Sequence, residues 1–221
     1  MRAIGRGVGA SARRRTLAAV VATMIGAMVG AGAPGAAMAG EIDAGATAFL
    51  QTVSLPMPAV SRVIFCHGFG CAFRTEIGLG PGDRAQMASL MAAGRASPAA
   101  ERAAIAKTEV WFEKRVAPLT GTAKAKARAG GLGHANDRTQ FDCIDATVNT
   151  TSLLIVLQEL GLMKHHRVGE PISRLLTGGG PHYTAVITEI KSGAEWTVDP
   201  WTHNHGELPD VWPVARWKAG G

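Results

Sequence analysis

The sequence predicts an α+β fold from three features of its C-terminal half. A mostly apolar run begins after Asp142 and closes at Gly161, and its length is typical of a buried helix rather than of a strand. Two β-like segments, residues 182–191 and 194–199, then flank the turn residues Ser192-Gly193. Because such a helix buries its apolar side against paired strands, we expect an α+β domain.

The first 39 residues have the layout of a secretory signal. Five arginines and no acidic residue precede an uncharged stretch rich in Ala, Val, Met and Gly, and Ala37-Met38-Ala39 supplies an A-x-A cleavage site. We expect cleavage after Ala39 and a periplasmic or secreted protein; an uncleaved N-terminal membrane anchor is the alternative. Without these residues the formal net charge falls from +6 to +1, so the basic composition does not indicate nucleic acid binding.

All three cysteines follow the predicted signal. Cys66 and Cys71 flank a glycine-bearing loop between two apolar stretches, residues 60–65 and 72–79, a pattern typical of a tight β-hairpin. Cross-strand neighbours at such a loop are close enough to form a disulfide, and the oxidising environment of an exported protein favours that bond. Two unpaired thiols or a metal site are the alternatives. A disulfide there leaves Cys143 without an internal partner.

Residues 40–221 are expected to form a single domain with a hairpin (59–80), helices (84–118) and a core (140–201). Capping and turn residues predict its remaining segments, in chain order: an extended lead over 41–58, a helix over 84–93 capped by Asp83, a helix from Ser97-Pro98 to about Arg115, an exposed basic loop over 120–139, a strand over 164–168 and a glycine hinge over 178–181.

Three side chains in this order suggest nucleophilic catalysis. Cys143 opens the predicted core helix, and the partial positive charge at a helix N-terminus favours a thiolate. His182 begins one predicted strand and Asp199 ends the next, so hairpin pairing brings them near each other. An imidazole oriented by a carboxylate is the usual base for a thiol nucleophile, and docking of the helix on the sheet would add Cys143.

These residues resemble the transglutaminase-like superfamily of papain-like cysteine hydrolases. The resemblance rests on Cys143 at a helix start, His182-Tyr183-Thr184-Ala185-Val186 and the strand end Trp196-Thr197-Val198-Asp199-Pro200, and the spacings of 39 and 17 residues are most similar to its exported bacterial cysteine-proteinase branch. The resemblance implies a core helix bearing the nucleophile, packed on an antiparallel sheet. It also implies that Cys143 is the nucleophile, His182 the base and later the acid, and Asp199 the residue that orients His182.

Several neighbours are candidates to support this site. The Cys143 backbone N–H is the first candidate for an oxyanion hole, and Gln140, Asp142 and Trp196 are candidate oxyanion or support residues. Asp145 and Asn149, on the same predicted helix, could support the site or face solvent.

The function predicted is an exported thiol-dependent hydrolase that cleaves amide or peptide bonds through a thioester. The non-enzymatic alternative is a catalytically silent binding or scaffold module. The enzymatic alternative is a cell-wall peptide hydrolase. The expected partner is a protein or peptide substrate, with no nucleic acid, and with membrane contact only through the export signal. No cofactor or metal is expected, because His165-His166 and His203-x-His205 lack acidic or Cys partners at ligand spacing and are predicted in exposed loops.

Overall fold

The computed structural model describes residues 41–130, 134–177 and 179–220; the predicted export signal and residues 131–133 of the basic loop lie outside them. The described elements are, in chain order, α1 (Ala44–Thr52), β1 (Arg62–His67), β2 (Phe73–Gly78), α2 (Pro81–Ala92), a 3₁₀ turn (Ala93–Ala96), α3 (Pro98–Thr120), α4 (Cys143–Glu159), β3 (His166–Leu175), β4 (Pro181–Glu189), β5 (Glu195–Val198) and α5 (Val214–Lys218). Five α-helices and two antiparallel sheets in these residues confirm the α+β class.

Helix α4 is the centre of the fold. Asp142 caps it by accepting a hydrogen bond from the Asp145 N–H at 2.9 Å, and Gly161, with a φ of +65°, follows its last turn. Its side chains are buried along nearly its whole length, including the run 153–157, and it packs against both β1 and β4. The predicted buried helix is therefore confirmed, and its first residue is Cys143.

The two sheets lie on either side of this helix in the sequence. Strands β1 and β2 form a two-stranded hairpin, and β3, β4 and β5 form an antiparallel sheet in that order. The β4–β5 pairing runs from Thr188 opposite Glu195 to Ala185 opposite Val198. His182 and Asp199 therefore lie just beyond the last pair, at the same open end of the hairpin. Strand β3 is longer than the predicted segment 164–168 because its pairing with β4 continues to Leu175.

The segment before the first hairpin contains helix α1, so the prediction of an extended segment over 41–58 is wrong. Helix α1 begins after Asp43, whose carboxylate accepts from the Gly45 N–H at 2.8 Å. The short Ala-, Gly- and Thr-rich sequence has little helical tendency of its own. Burial of Ala46 and Leu50 against the rest of the core stabilises it, and that tertiary contribution is not visible in a local pattern.

Helices α2 and α3 are present with shifted limits. Helix α2 is capped at Gly80 rather than at Asp83, because the Asp83 carboxylate lies in the first turn and accepts from the Gly80 N–H at 2.9 Å. Ser97 caps α3 as predicted, but the helix continues through Pro118 and ends only where Gly121 adopts a φ of +77°.

The predicted hairpin and its disulfide are both present. Cys66 at the end of β1 is bonded to Cys71, with their Cα atoms 4.6 Å apart, and Cys143 is a free, buried thiol. Within the described ranges, no helix combines the length and apolar character needed to cross a bilayer.

Candidate active site

Cys143 lies at the N-terminus of α4 and meets the start of β4. Its sulfur is 3.8 Å from the carbonyl oxygen of Pro181, and the Tyr183 backbone N–H donates toward the same sulfur. Pro181 and Tyr183 are the residues on either side of His182. The thiol therefore contacts the backbone of β4 on both sides of the predicted base.

Burial keeps the Cys143 side chain in its neutral thiol form. Burial raises the pKa of the Cys143 thiol to about 11, and the negative charges of Asp142 and Asp199 act in the same direction. The N–H groups of Tyr183 and of Cys143 itself lower the pKa by less. The helix N-terminus is thus not sufficient to make a thiolate here, contrary to the sequence expectation, and a proton acceptor beside the sulfur is required.

His182 and Asp199 are in direct contact. The His182 Nε2 atom lies 2.6 Å from Asp199 Oδ2, and both side chains are at most 2% exposed. The other ring nitrogen, Nδ1, is buried and has no hydrogen-bond partner among the residues that the structure describes. If Asp199 is ionised, Nε2 carries the proton and Nδ1 presents a lone pair.

The Asp199 carboxylate is held from several directions. The indole N–H of Trp217, on α5, donates to Oδ2 at 2.8 Å. The backbone of Asp199 exchanges two hydrogen bonds with Asp210, at 2.9 and 3.1 Å. These contacts fix the carboxylate against the imidazole, as a group that orients a base must be fixed.

Two tryptophans enclose the imidazole. The ring centroids of Trp201 and Trp217 lie 4.5 and 5.3 Å from that of His182. The Trp201 indole N–H donates to the Ala129 carbonyl at 3.0 Å, which ties the basic loop to the same cluster. The aromatic faces leave the ring little freedom to turn, and they exclude water from it.

A cleft of about 330 Å³ opens beside Cys143. Its walls combine the N-terminus of α4, the β1–β2 loop, the basic loop and the β3–β4 connection, and its lining residues are Phe69, Arg128, Ala129, Gly130, Asp142, Cys143, Leu176, Gly179, Gly180, Pro181 and Trp201. The cleft is mostly apolar with few charged groups, which is typical of a site that binds an organic substrate.

The disulfide loop is hydrogen-bonded to the N-terminus of α4. Phe69 and Cys71 donate backbone hydrogen bonds to the Asp145 carboxylate at 2.7 and 2.6 Å, and Gly70 donates to Asp142 at 3.0 Å. Residues 68–71 all have positive φ, two of them not glycine, so this loop conformation needs outside support. The hydrogen bonds to the two carboxylates and the disulfide supply that support.

Asp145 is accordingly a buried structural acid and does not face solvent. Burial raises its pKa to about 7, and the charge of Asp142 adds to this, although the three N–H donors stabilise the ionised form. Asn149, one turn further along, accepts from the Cys66 N–H at 2.7 Å and donates to the Cys66 carbonyl at 2.9 Å. Both residues attach α4 to the disulfide hairpin.

Two of the predicted support residues do not line the cleft. The Gln140 side-chain oxygen accepts from the Lys126 N–H at 2.9 Å, so this side chain holds the basic loop. Trp196, on β5, lies under the guanidinium of Arg102, whose Cζ is 3.6 Å from the ring centroid, and it is not among the residues that line the cleft. Asp142 does line the cleft, where it caps the helix.

The other histidines do not form a metal centre in the described part of the chain, which contains no cluster of three or more His, Cys, Asp or Glu suited to a metal ion. His166 is not in an exposed loop as predicted, because it is fully buried against Glu101 at 3.0 Å. His203 is half-buried and contacts Asp210 at 3.0 Å.

Sequence reasoning missed three contributors to the site: Trp201, Trp217 and Phe69. The roles of the tryptophans depend on the return of the C-terminal segment to β5, which no local sequence pattern predicts. Comparisons with protein-family models, curated proteins and solved structures find no match to this chain.

Proposed function

We propose that this protein is a thiol-dependent hydrolase of amide or peptide bonds, with Cys143 as nucleophile, His182 as base and acid, and Asp199 as the group that orients His182. One observation carries the proposal: a buried imidazole is bound by a carboxylate at Nε2, has a free Nδ1, and is flanked by backbone groups that contact a free thiol. The arrangement of helix and antiparallel sheet agrees with a papain- or transglutaminase-like fold, which is part of the proposal.

Acylation begins with the neutral thiol. Nδ1 of His182 accepts the thiol proton as Sγ bonds to the substrate carbonyl carbon, and the carbonyl electron pair moves to oxygen. The imidazolium then donates that proton to the leaving nitrogen, the C–N bond breaks, and an amine leaves. The product on the protein is a thioester at Cys143.

Deacylation follows the same path with water. Nδ1 takes a proton from water as its oxygen attacks the thioester carbon, and the C–S bond then breaks. The sulfur recovers its proton from the imidazolium, and the new carboxylic acid leaves. An amine in place of water would give acyl transfer by the same steps, and the abundance of water favours hydrolysis.

The start of α4 supports the developing negative charge. The Cys143 backbone N–H has no acceptor within the helix and faces its own sulfur, so it can donate to a carbonyl oxygen bound there. The helix dipole adds a favourable potential at this end. In other acyl-transfer sites, removal of one oxyanion-hole donor lowers the rate about 10²–10³-fold. We expect a contribution of this size from the Cys143 N–H.

Export outside the cytoplasm is also part of the proposal. The disulfide Cys66–Cys71 supports it, because such bonds persist in oxidising compartments, and the secretory layout of residues 1–39 agrees. The partner would then be an extracytoplasmic protein or peptide, cell-wall peptides included.

The test is cleavage of a peptide library and of cell-wall peptides, followed by mass spectrometry. The wild type should generate new carboxyl termini that carry oxygen from isotopically labelled water, and Cys143→Ala should lower the rate at least about 10³-fold. Ser152→Ala is the matched control, since it removes a buried hydroxyl from the same helix without touching the cleft. Equal product from wild type and Cys143→Ala would refute the proposal.

A silent binding module is the second candidate, and the raised pKa of the buried Cys143 favours it. In that case, peptides would be retained by the wild type and by Cys143→Ala alike and recovered intact. Intact recovery together with slow alkylation of Cys143 that is insensitive to His182→Ala would support the module against the enzyme.

A further inference from the structure

Among the described residues that line the cleft, Arg128 is the one cation. Within the described part of the chain its guanidinium forms no ion pair, whereas four other arginines do: Arg62, Arg102, Arg115 and Arg167. The acid in the cleft, Asp142, is already bound by the N–H groups of Gly70 and Asp145. A positive charge therefore lines an apolar cleft without an ion-pair partner among the described residues.

The backbone holds Arg128 in place at the cleft. Its N–H donates to the Trp201 carbonyl at 2.8 Å, and Trp201 in turn contacts the imidazole of His182. Arg128 has a φ of +54°, a conformation that a long side chain adopts only when its surroundings impose it. The residue is thus fixed relative to the proposed catalytic cluster although its side chain is exposed.

We infer that Arg128 binds a carboxylate of the substrate, so that the proposed hydrolase prefers acyl donors with an acidic side chain or a terminal carboxylate close to the scissile bond. This inference rests on the proposed function for its substrate. A guanidinium presents two parallel N–H donors that match the two oxygens of a carboxylate. The low polarity of the cleft strengthens the electrostatic attraction between the two groups. The neighbouring Phe69, Leu176 and Trp201 would take an apolar part of the same substrate.

Alkylation of Cys143 by iodoacetate and by iodoacetamide tests the charge at the site without any substrate. The two probes react with the same thiolate and differ by one carboxylate. The ratio of the iodoacetate rate constant to the iodoacetamide rate constant is therefore independent of the thiolate population and of most differences in accessibility. Cys143 is the free thiol among the described residues, and the disulfide keeps the other two cysteines unreactive without reductant. The ratio should fall at least about threefold in Arg128→Gln, which is the scale of one partly exposed ion pair.

Lys126→Gln is the matched control, since it removes an exposed charge from the same loop outside the cleft lining. It should leave the iodoacetate to iodoacetamide ratio within a factor of about 1.5, and added salt should lower the ratio in the wild type more than in Arg128→Gln. An equal fall in both variants would show a diffuse effect of the basic loop, and no fall in Arg128→Gln would show that its charge does not act on the cleft. Either result overturns the inference.

Paired peptides that differ only by Asp or Asn beside the cleaved bond extend the test to turnover. Arg128→Glu should reverse the preference for the Asp peptide, and equal preference in wild type and Arg128→Glu would contradict the inference. The peptides are derived from a sequence that the wild type cleaves in the library. If the library yields no cleaved sequence, the hydrolase proposal fails, while the alkylation ratio still decides whether the charge of Arg128 acts on a carboxylate in the cleft.

Discussion

Among the described residues, two fully buried histidines are hydrogen-bonded to a carboxylate, and only one of them is flanked by backbone that contacts a free thiol. His166 Nδ1 lies 3.0 Å from Glu101 Oε1, and His182 Nε2 lies 2.6 Å from Asp199 Oδ2. All four side chains are at most 2% exposed. By residue type and burial the two pairs are alike.

They differ at the second ring nitrogen. Nε2 of His166 accepts a hydrogen bond from Arg102 at 3.2 Å, so both of its nitrogens are occupied. Glu101 also accepts from three successive backbone N–H groups, residues 164–166, and these bonds lower its pKa despite the opposing effect of burial. That pair joins α3 to the start of β3. Nδ1 of His182 has no hydrogen-bond partner among the described residues, and the backbone on either side of this histidine contacts the Cys143 sulfur. The unoccupied nitrogen, not the contact with a carboxylate, is therefore what separates His182 from His166 as a potential base.

Replacement of each histidine by alanine is expected to give the largest contrast. His182→Ala should lower the turnover of a cleaved peptide about 10³-fold or more, because the thiol loses its proton acceptor. His166→Ala should keep most of the turnover per folded molecule and lower the free energy of unfolding by about 2 kcal/mol, because its partners lose hydrogen bonds. Turnover and urea denaturation of both variants check this. Equal turnover in the two variants would remove the functional distinction between the pairs.

Exchange of each carboxylate for its amide tests the orientation of the imidazole. Asp199→Asn should lower turnover by about 10²–10⁴-fold, since an amide that donates to Nε2 would favour the wrong tautomer. Glu101→Gln is the matched change in the other pair, and it should act on stability with little effect on turnover. The rate of peptide cleavage at saturating substrate separates the two. A larger loss of turnover in Glu101→Gln would contradict the assignment of Asp199.

A pair of buried acids, Glu109 and Glu113, should respond to pH in the opposite sense from Glu101. Burial raises the pKa of Glu109 to about 7 and that of Glu113 to about 8, and their mutual repulsion adds to the latter. Thr150, Gly206, Lys114 and His205 face this pair, and burial lowers the pKa of His205, so it is neutral near pH 7. Because the folded carboxyls hold protons that the unfolded chain releases near pH 4.5, stability should fall as pH rises from about 5 to 8.

The loss over that range should be about 2–4 kcal/mol for each carboxyl, and Glu113→Gln should remove about half of the total slope. Urea denaturation at pH 5 and pH 8 measures the slope for both proteins. A stability that rises with pH in the wild type, or a slope unchanged in Glu113→Gln, would show that the pair is ionised in the folded protein.

Removal of the hydrogen bond from the Trp217 indole to Asp199 is expected to have the smallest effect. Trp217→Phe keeps the aromatic contact with His182 and removes the hydrogen bond to Oδ2, so turnover should fall about tenfold and the free energy of unfolding by about 1 kcal/mol. Trp212→Phe is the control, because Trp212 packs under Arg216 and has no contact with the carboxylate. Similar turnover in both variants would leave Trp217 as a packing residue only.

Local patterns in the sequence were sufficient for much of the fold. The cap at Asp142, the apolar run and the stop at Gly161 marked α4, and turn residues marked both hairpins, because capping and turn chemistry act between near neighbours. The spacing of Cys66 and Cys71 led to the disulfide for the same reason.

Features that depend on distant contacts were not predictable. Helix α1 forms because its apolar side is buried, and Trp217 reaches Asp199 only because the chain after β5 folds back over the sheet. His166 was expected in a loop because its partner, Glu101, is 65 residues away. The raised pKa of Cys143 follows from burial, which the sequence does not display.

The pH dependence of Cys143 alkylation tests the central claim most directly. Burial raises the pKa of the Cys143 thiol to about 11, but if Nδ1 of His182 accepts the proton as the sulfur attacks, alkylation of the wild type should reach half of its plateau rate at a midpoint below about pH 8.5, the value of an unperturbed thiol. His182→Ala should move the midpoint up toward the value of about 11 set by burial, and His166→Ala should leave it in place. One midpoint near 11 in all three proteins would contradict the claim that Cys143 and His182 act as a pair.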